Sequence, residues 1–353
     1  MRRFLLLTLL TAVALSAQPK KVVVMGMSEA HVAELREAAP ANVNLVHIAN
    51  RRSTPDVIAV VADSPQRGDR RKALLEEVAD ADAIIGSPSK EVIVAAKKLK
   101  WLQITSAGAE HYVYPEIADS DIVLTNAKTL SSPGIADHGV GMLLALTRKL
   151  NYFIRTQPDE TWVRKNYHLQ ELEGKTAVIL GAGGIGSAVA ARVKAFGMNV
   201  IGVDIREMPP RVDFDRMVLS DRMDQVLPEG DVVFLCVPHT KVSEKMYGPR
   251  QFELMKKGSY FIALSRGKVY DLDALVKALD SKQLAGAAVD VADPEPLPKG
   301  HPLWKFENVV ITPHISTQGE GEMPRRIALY KENLVRFANG ERLINVVDKQ
   351  AGF

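Results

Sequence analysis

The sequence predicts an α/β fold of two Rossmann-like domains, each with a doubly wound parallel sheet, one of the two domains being discontinuous. Three observations predict it. Short apolar runs alternate with amphipathic helical stretches along almost the whole chain. One strand–helix–strand unit carries the pattern Gly181-x-Gly183-x-x-Gly186. The later strands all end in polar residues, as at the carboxyl edge of a parallel sheet. With 353 residues, 46% of them hydrophobic and 25% charged, the chain has the size and composition of a two-domain globular protein.

Residues 1–17 combine positive charge at Arg2 and Arg3, an apolar run over 4–15 and small residues before Pro19, the layout of a secretory signal peptide. Cleavage after Ser16 or Ala17 would release a periplasmic or secreted protein; an uncleaved arm on a cytoplasmic protein is the alternative. Strands then read over 21–26, 43–48, 83–85 and 102–105, with helices over 29–39, 69–79 and 91–99; residues 55–67 give no assignment. The strand at 102–105 runs into Ser106-Ala107-Gly108-Ala109-Glu110, read either as backbone N–H groups open to an anion or as a tight turn without a ligand. A strand over 121–125 leads to an apolar helix over 134–150, suited to burial between domains or subunits. Within it, Asp137-His138 is either a functional or a hydrogen-bonded structural pair.

The stretch 176–204 is the most informative. A buried strand reaches Leu180, the three glycines and Ile185 open a helix, and a second strand ends at Asp204. The first glycine permits a tight turn, the second lets the backbone approach a pyrophosphate, and the third lets helix and strand pack closely. The pyrophosphate faces the unpaired N–H groups of the helix start, and Asp204 can accept hydrogen bonds from an adenosine ribose. Its charge favours NAD over NADP, with Arg206 and Arg211 close enough to soften that preference. Further strands over 232–237, 260–264, 286–291 and 308–312 end at Pro238, at Leu264-Ser265-Arg266, at Asp290 and at Thr312-Pro313-His314. Helices read over 251–255, 271–280 and 321–338, and the last of these is expected to return to the first domain. The domains are therefore drawn as 20–125 with 315–353, and 126–314.

Removing residues 1–17 leaves 43 basic against 42 acidic residues, a charge of +1, which argues against nucleic acid or a membrane surface as partner. The single cysteine, Cys236, excludes a disulfide framework and a cysteine-rich metal site, and reads as a buried small hydrophobe.

Reducing a 2-keto acid by hydride transfer calls for a cation on the substrate carboxylate, an acid for the developing alkoxide, and a group that keeps this acid charged. Arg266, His314 and Glu295 are of the right types. The sequence resembles the D-isomer-specific 2-hydroxyacid dehydrogenase family over nearly everything after residue 17. Four motifs in the family's order carry the resemblance: GAGGIG at 181–186, SRG at 265–267, D-V-x-x-x-E-P-L-P at 290–298, and HPLW at 301–304 followed by TPH at 312–314. The resemblance implies that Arg266 is the substrate arginine, His314 the acid/base and Glu295 its paired carboxylate. It implies that Asp290 contacts the nicotinamide carboxamide and that Ala107 and Gly108 bind the substrate carboxylate through backbone N–H groups. Gly181, Gly183, Ile185, Gly186, Asp204, Pro238 and Leu264 complete the expected NAD site.

The expected protein is thus an NAD-dependent reductase of a small 2-keto acid, such as a glyoxylate or hydroxypyruvate reductase, and a homodimer. Ala263 and Ala292 stand where the family often has Asn and an aromatic residue, which affects substrate shape. Glu295 argues against the formate dehydrogenase branch, and the short chain after His314 against the phosphoglycerate dehydrogenases with regulatory domains. A non-catalytic NAD(H)-binding or sensing protein, as among the C-terminal-binding corepressors, is the rival, disfavoured by the intact Arg, Glu and His set.

Overall fold

The protein is described by a computed structural model covering residues 18–49, 65–162, 164, 167–209 and 211–352. Residues 1–17, which carry the expected export signal, lie outside the described residues, as do most of 55–67. Two compact units form, and each is described by itself. Among the described residues, one comprises those up to Gln103 with Tyr330–Ile344, the other those over Ile104–Leu329 and from Asn345 on.

In the first unit, β1 (Lys20–Met25), β2 (Val43–Ile48), β3 (Ala83–Ile85) and β4 (Trp101–Gln103) form a parallel sheet in the order β2-β1-β3-β4. Val22, Val23 and Val24 are all fully buried, as expected where both faces of a parallel strand are covered and the apolar run is unbroken. The helix Glu29–Ala38 starts at Ser28, whose hydroxyl accepts the His31 N–H. The helix Glu322–Asn339 crosses the division of units at Leu329, and its last turns lay Phe337 against Trp101, with ring centroids 5.1 Å apart.

In the second unit, β5 (Val123–Thr125) bridges Val346 through Thr125. Seven parallel strands follow: β6 (Thr176–Leu180), β7 (Asn199–Asp204), β8 (Arg216–Leu219), β9 (Val232–Leu235), β10 (Ser259–Ala263), β11 (Leu284–Val289) and β12 (Val309–Ile311). Their order is β12-β11-β10-β9-β6-β7-β8. The chain builds outward from β6 through β8, then returns to place β9 on the other side of β6. That reversal opens a crevice at the carboxyl ends of β6 and β9, where open α/β sheets bind ligands.

Two expectations need correcting. Strand β8 and the short helical segment after it were not read from the sequence, because β8 is an edge strand, only partly buried, that begins with Arg216. The apolar helix over 134–150 is two helices, Ser132–Thr147 and Leu150–Thr156, separated at Lys149, whose φ is +55°. The first of them is buried on the second unit's own sheet, against β10, β11 and the helix Gly184–Ala195. Residues 104–125, 315–329 and 345–353 group with the second unit, and within it Val347 N–H donates to Leu124 O (2.8 Å), Asn126 N–H to Asn345 O (3.1 Å) and Lys349 Nζ to Ile117 O (3.0 Å).

Candidate active site

The glycine loop joins β6 to the helix Gly184–Ala195 at the crevice. Gly181 has φ +89°, a left-handed conformation that costs a side-chain-bearing residue energy. A Cβ at Gly186 would overlap the Gly181 carbonyl, so the helix can approach the strand only without one. Gly183, by contrast, faces open space, with nothing within 4 Å of where its Cβ would stand. Beside the loop, the Ser132 hydroxyl is buried without a hydrogen-bond partner among the described residues, 2.8 Å from where a Cβ on Gly184 would be. A tight turn, an open flank, a helix start and an unsatisfied hydroxyl are the features that a dinucleotide pyrophosphate would use. Ile185 is partly buried and packs against the hydrophobic core.

Asp204 closes this half. Its Oδ2 accepts the Ala182 N–H at 3.0 Å and its Oδ1 the Arg206 N–H at 3.2 Å, so the carboxylate braces the glycine loop. A carboxylate has about four acceptor positions, and two remain for a ribose diol. Arg211, read from the sequence only as a cation near Asp204, reaches the same loop, donating to Ala182 O at 2.8 Å and Ser187 Oγ at 2.6 Å. Pro238 follows β9, its carbonyl accepting the Ser243 hydroxyl at 2.7 Å. The Leu264 side chain is buried against Gly139, leaving only its backbone at the sheet edge.

The other half is assembled at the ends of β10, β11 and β12, which are adjacent and in register through Ala263, Val289 and Ile311. Asp290 is buried, and its carboxylate accepts three hydrogen bonds: from Thr312 Oγ1 (2.6 Å), Ile315 N (3.0 Å) and Ser316 N (3.1 Å). Burial would push its carboxyl up, but the bonds from Ser316, Thr312 and Ile315 outweigh that and hold it below the usual carboxylate range. These bonds clamp the loop carrying His314, which has φ +53° and donates its N–H to Asp290 O at 2.8 Å. A histidine held in that region is a strained residue whose neighbours fix it. The His314 ring is in turn oriented by Glu295, with Nδ1 2.8 Å from Oε2. Glu295 Oε1 accepts the Ala292 N–H at 3.0 Å. Gly267 lies against the Ala292 carbonyl so closely that a Cβ would overlap it, so the Arg266 loop, Glu295 and His314 form one connected group.

Arg266 donates from Nη1 to Ser265 O at 2.9 Å and from Nε to Glu110 Oε1 at 3.2 Å. Glu110 belongs to the 106–110 turn, which is thereby brought to Arg266. In that turn the carbonyls of Ser106, Ala107 and Gly108 accept from Ala127 N, Asn126 Nδ2 and Ser106 Oγ. The N–H groups of Ala107 and Gly108 meet no acceptor among the described residues, as an anion-binding turn requires.

Asp137 and His138 do not pair with each other. Asp137 accepts from Arg192 Nε at 2.6 Å, whereas His138 Nε2 lies 2.9 Å from Thr312 Oγ1, behind the Asp290 clamp. The Thr312 hydroxyl, giving its proton to Asp290, must accept from His138. Cys236 is buried, and burial pushes its thiol well up, as suits an inert core residue. Glu110, Thr312 and His138 were not assigned roles from the sequence. Thr312 stands inside the TPH motif, but nothing local marks Glu110 as Arg266's neighbour.

The family profile described as "D-isomer specific 2-hydroxyacid dehydrogenase, NAD binding domain" matches residues 140–316. A glyoxylate reductase of Thermofilum pendens is 35% identical over 300 residues, 82% of this chain and 88% of that protein. A D-3-phosphoglycerate dehydrogenase of Archaeoglobus fulgidus is 34% identical over 80% of this chain, which spans only 54% of that protein. The solved structure of a D-isomer specific 2-hydroxyacid dehydrogenase family protein from Aeromonas salmonicida superposes with a TM-score of 0.75 at 27% identity, over 94% of this chain and 100% of that one. The chain thus belongs to the D-isomer-specific 2-hydroxyacid dehydrogenase family.

Proposed function

We propose that the protein is an NAD-dependent D-2-hydroxyacid dehydrogenase that reduces small 2-keto acids, glyoxylate and hydroxypyruvate among them. The observation that carries this reading is the connected group of Arg266, Glu295 and His314 at the ends of three adjacent strands of the sheet that holds the glycine loop. The name of the Thermofilum pendens relative supports the substrate class.

Bound NADH supplies the hydride. The chain's own residues do the rest. The N–H groups of Ala107 and Gly108 and the Arg266 fork hold the substrate carboxylate, and the guanidinium polarises the ketone. Glu295 accepts from His314 Nδ1, which leaves Nε2 as the ring nitrogen that gives the proton to the developing alkoxide or takes it back in oxidation. Asp290 holds the His314 loop still, whatever further contact it makes with the cofactor. Steady-state NADH oxidation with a panel of 2-keto acids tests the reading. Turnover of at least one small 2-keto acid is expected; tight NADH binding with no turnover of any would favour the sensing protein instead.

NAD is preferred over NADP because the Asp204 carboxylate would face a 2′-phosphate, and Arg206, 3.6 Å from Asp204, is already paired with it. NADH should bind more tightly than NADPH in a fluorescence titration, and Asp204→Ser should narrow the gap. Equal affinities in the wild type would refute the preference. A homodimer is supported by the exposed apolar residues Leu150, Ile154 and Trp162, the last 97% exposed. Light scattering at the mass of one chain would exclude it. Export rests on residues 1–17. Recovery of a cytoplasmic protein with an intact N-terminus would rule it out.

A further inference from the structure

The residue expected to receive the substrate carboxylate already faces a carboxylate of the protein. Arg266 Nε donates to Glu110 Oε1, and Gly108 is wedged against both groups: a Cβ there would stand 2.5 Å from Arg266 Nη2 and would overlap Glu110 Oε2. Glu110 therefore occupies Nε of the guanidinium, beside the Gly108 backbone, while Nη1 is turned to Ser265 O. Their side chains are 30% and 34% exposed, so the pair is partly withdrawn from water and less screened than a surface ion pair. Burial would push the Glu110 carboxyl up. Its own backbone N–H, the charge and hydrogen bond of Arg266, and the charge of His111 together hold it below the ordinary carboxylate range, and at neutral pH it is an anion.

We propose that Glu110 is a specificity-determining residue that restricts the substrate to 2-keto acids with a single carboxylate. The proposal rests on the reading of Arg266 as the substrate's carboxylate partner. Glu110 offsets the one charge of Arg266, so the site holds one substrate carboxylate by sharing the fork and has no free cation there for a second. In a four-carbon keto diacid the carboxyl carbons are three bonds apart, at most about 4 Å. Wherever the first carboxylate settles on Arg266, the second then lies close to Glu110, and like charges at such separations repel strongly in a partly desolvated site. A keto monoacid of the same length brings no second charge.

The test compares 2-oxobutanoate with oxaloacetate, acids of equal carbon number, by kcat/KM with NADH. The wild type is expected to favour 2-oxobutanoate by about tenfold or more, and E110Q, which keeps the shape and removes the charge, to narrow that ratio by about tenfold. E110S serves the same comparison if E110Q proves unstable. A wild type that reduces oxaloacetate as efficiently as 2-oxobutanoate overturns the proposal. So does a variant whose efficiencies fall for both acids with the ratio unchanged, since Glu110 would then only position Arg266. R266A separates the two claims: wild-type rates on both acids in R266A would remove the reading of Arg266 itself. Loss of both acids in R266A, with an unmoved ratio in E110Q, would remove the proposal for Glu110 alone.

Discussion

The two halves of the sheet's carboxyl edge are built by opposite means. Around β6 and β7 the site is mostly backbone: a left-handed glycine, a helix start with glycine at its first and third positions and one bracing carboxylate, all within 181–204. Around β10 to β12 it is side chains, drawn from Glu110, Arg266, Asp290, Glu295, Thr312 and His314 and held by hydrogen bonds between residues as far as 156 positions apart. A backbone site has a fixed shape and, at Gly186, tolerates no added atom. A side-chain site has adjustable charge and tolerates exchange of one group at a time. The first half should therefore fail all at once on mutation, the second in graded steps.

The largest effect is expected from Gly186→Ala. Its methyl has no room beside the Gly181 carbonyl, so the loop must shift, and NADH binding should weaken on the order of 100-fold in a fluorescence titration. An unchanged dissociation constant would mean that the loop is as adjustable as the other half. Next comes Glu295→Gln, which can still accept from His314 Nδ1 but brings no charge. We expect a loss in kcat on the order of tenfold with NADH affinity unchanged. If NADH affinity fell as far as kcat, the two halves would not be separable.

Asp290→Asn should have the smallest effect. An amide cannot accept all three hydrogen bonds of the clamp, and leaving one donor unpaired costs about 1 kcal/mol or more in urea unfolding at neutral pH. The sign of the pH dependence follows from the lowered carboxyl of folded Asp290. Its stabilisation is complete above the unfolded value of about 3.9 and disappears as pH falls through the lower folded value. The stability gap between wild type and variant should thus close below about pH 4. A gap that stays constant down to pH 3 would show that the charge of Asp290 is not what holds the loop.

The same contrast explains what could be read from the sequence. The glycine half was legible because its residues are contiguous and each glycine answers a local backbone need; β6 was located to the residue, and β7 ends at Asp204 as expected. Arg266, Asp290 and His314 were legible as a set because parallel strands bring their carboxyl ends to one edge, and the family motifs then distinguished them from other polar residues. The pairing of Glu110 with Arg266 was not legible, because it depends on how a turn 156 residues earlier folds back. Nor was the bond from His138 to Thr312, since adjacent residues on a helix point in different directions and Asp137 turns to Arg192 instead. The edge strand β8 escaped because a half-exposed strand lacks the unbroken apolar run that marked the buried ones.

The claim that binding and chemistry reside in separate halves is tested most directly in His314→Ala, by titrating NADH and measuring glyoxylate reduction on the same preparation. Wild-type NADH affinity is expected, with reduction slowed on the order of 100-fold or more. Reduction at near wild-type rates, or NADH binding lost together with turnover, would contradict it.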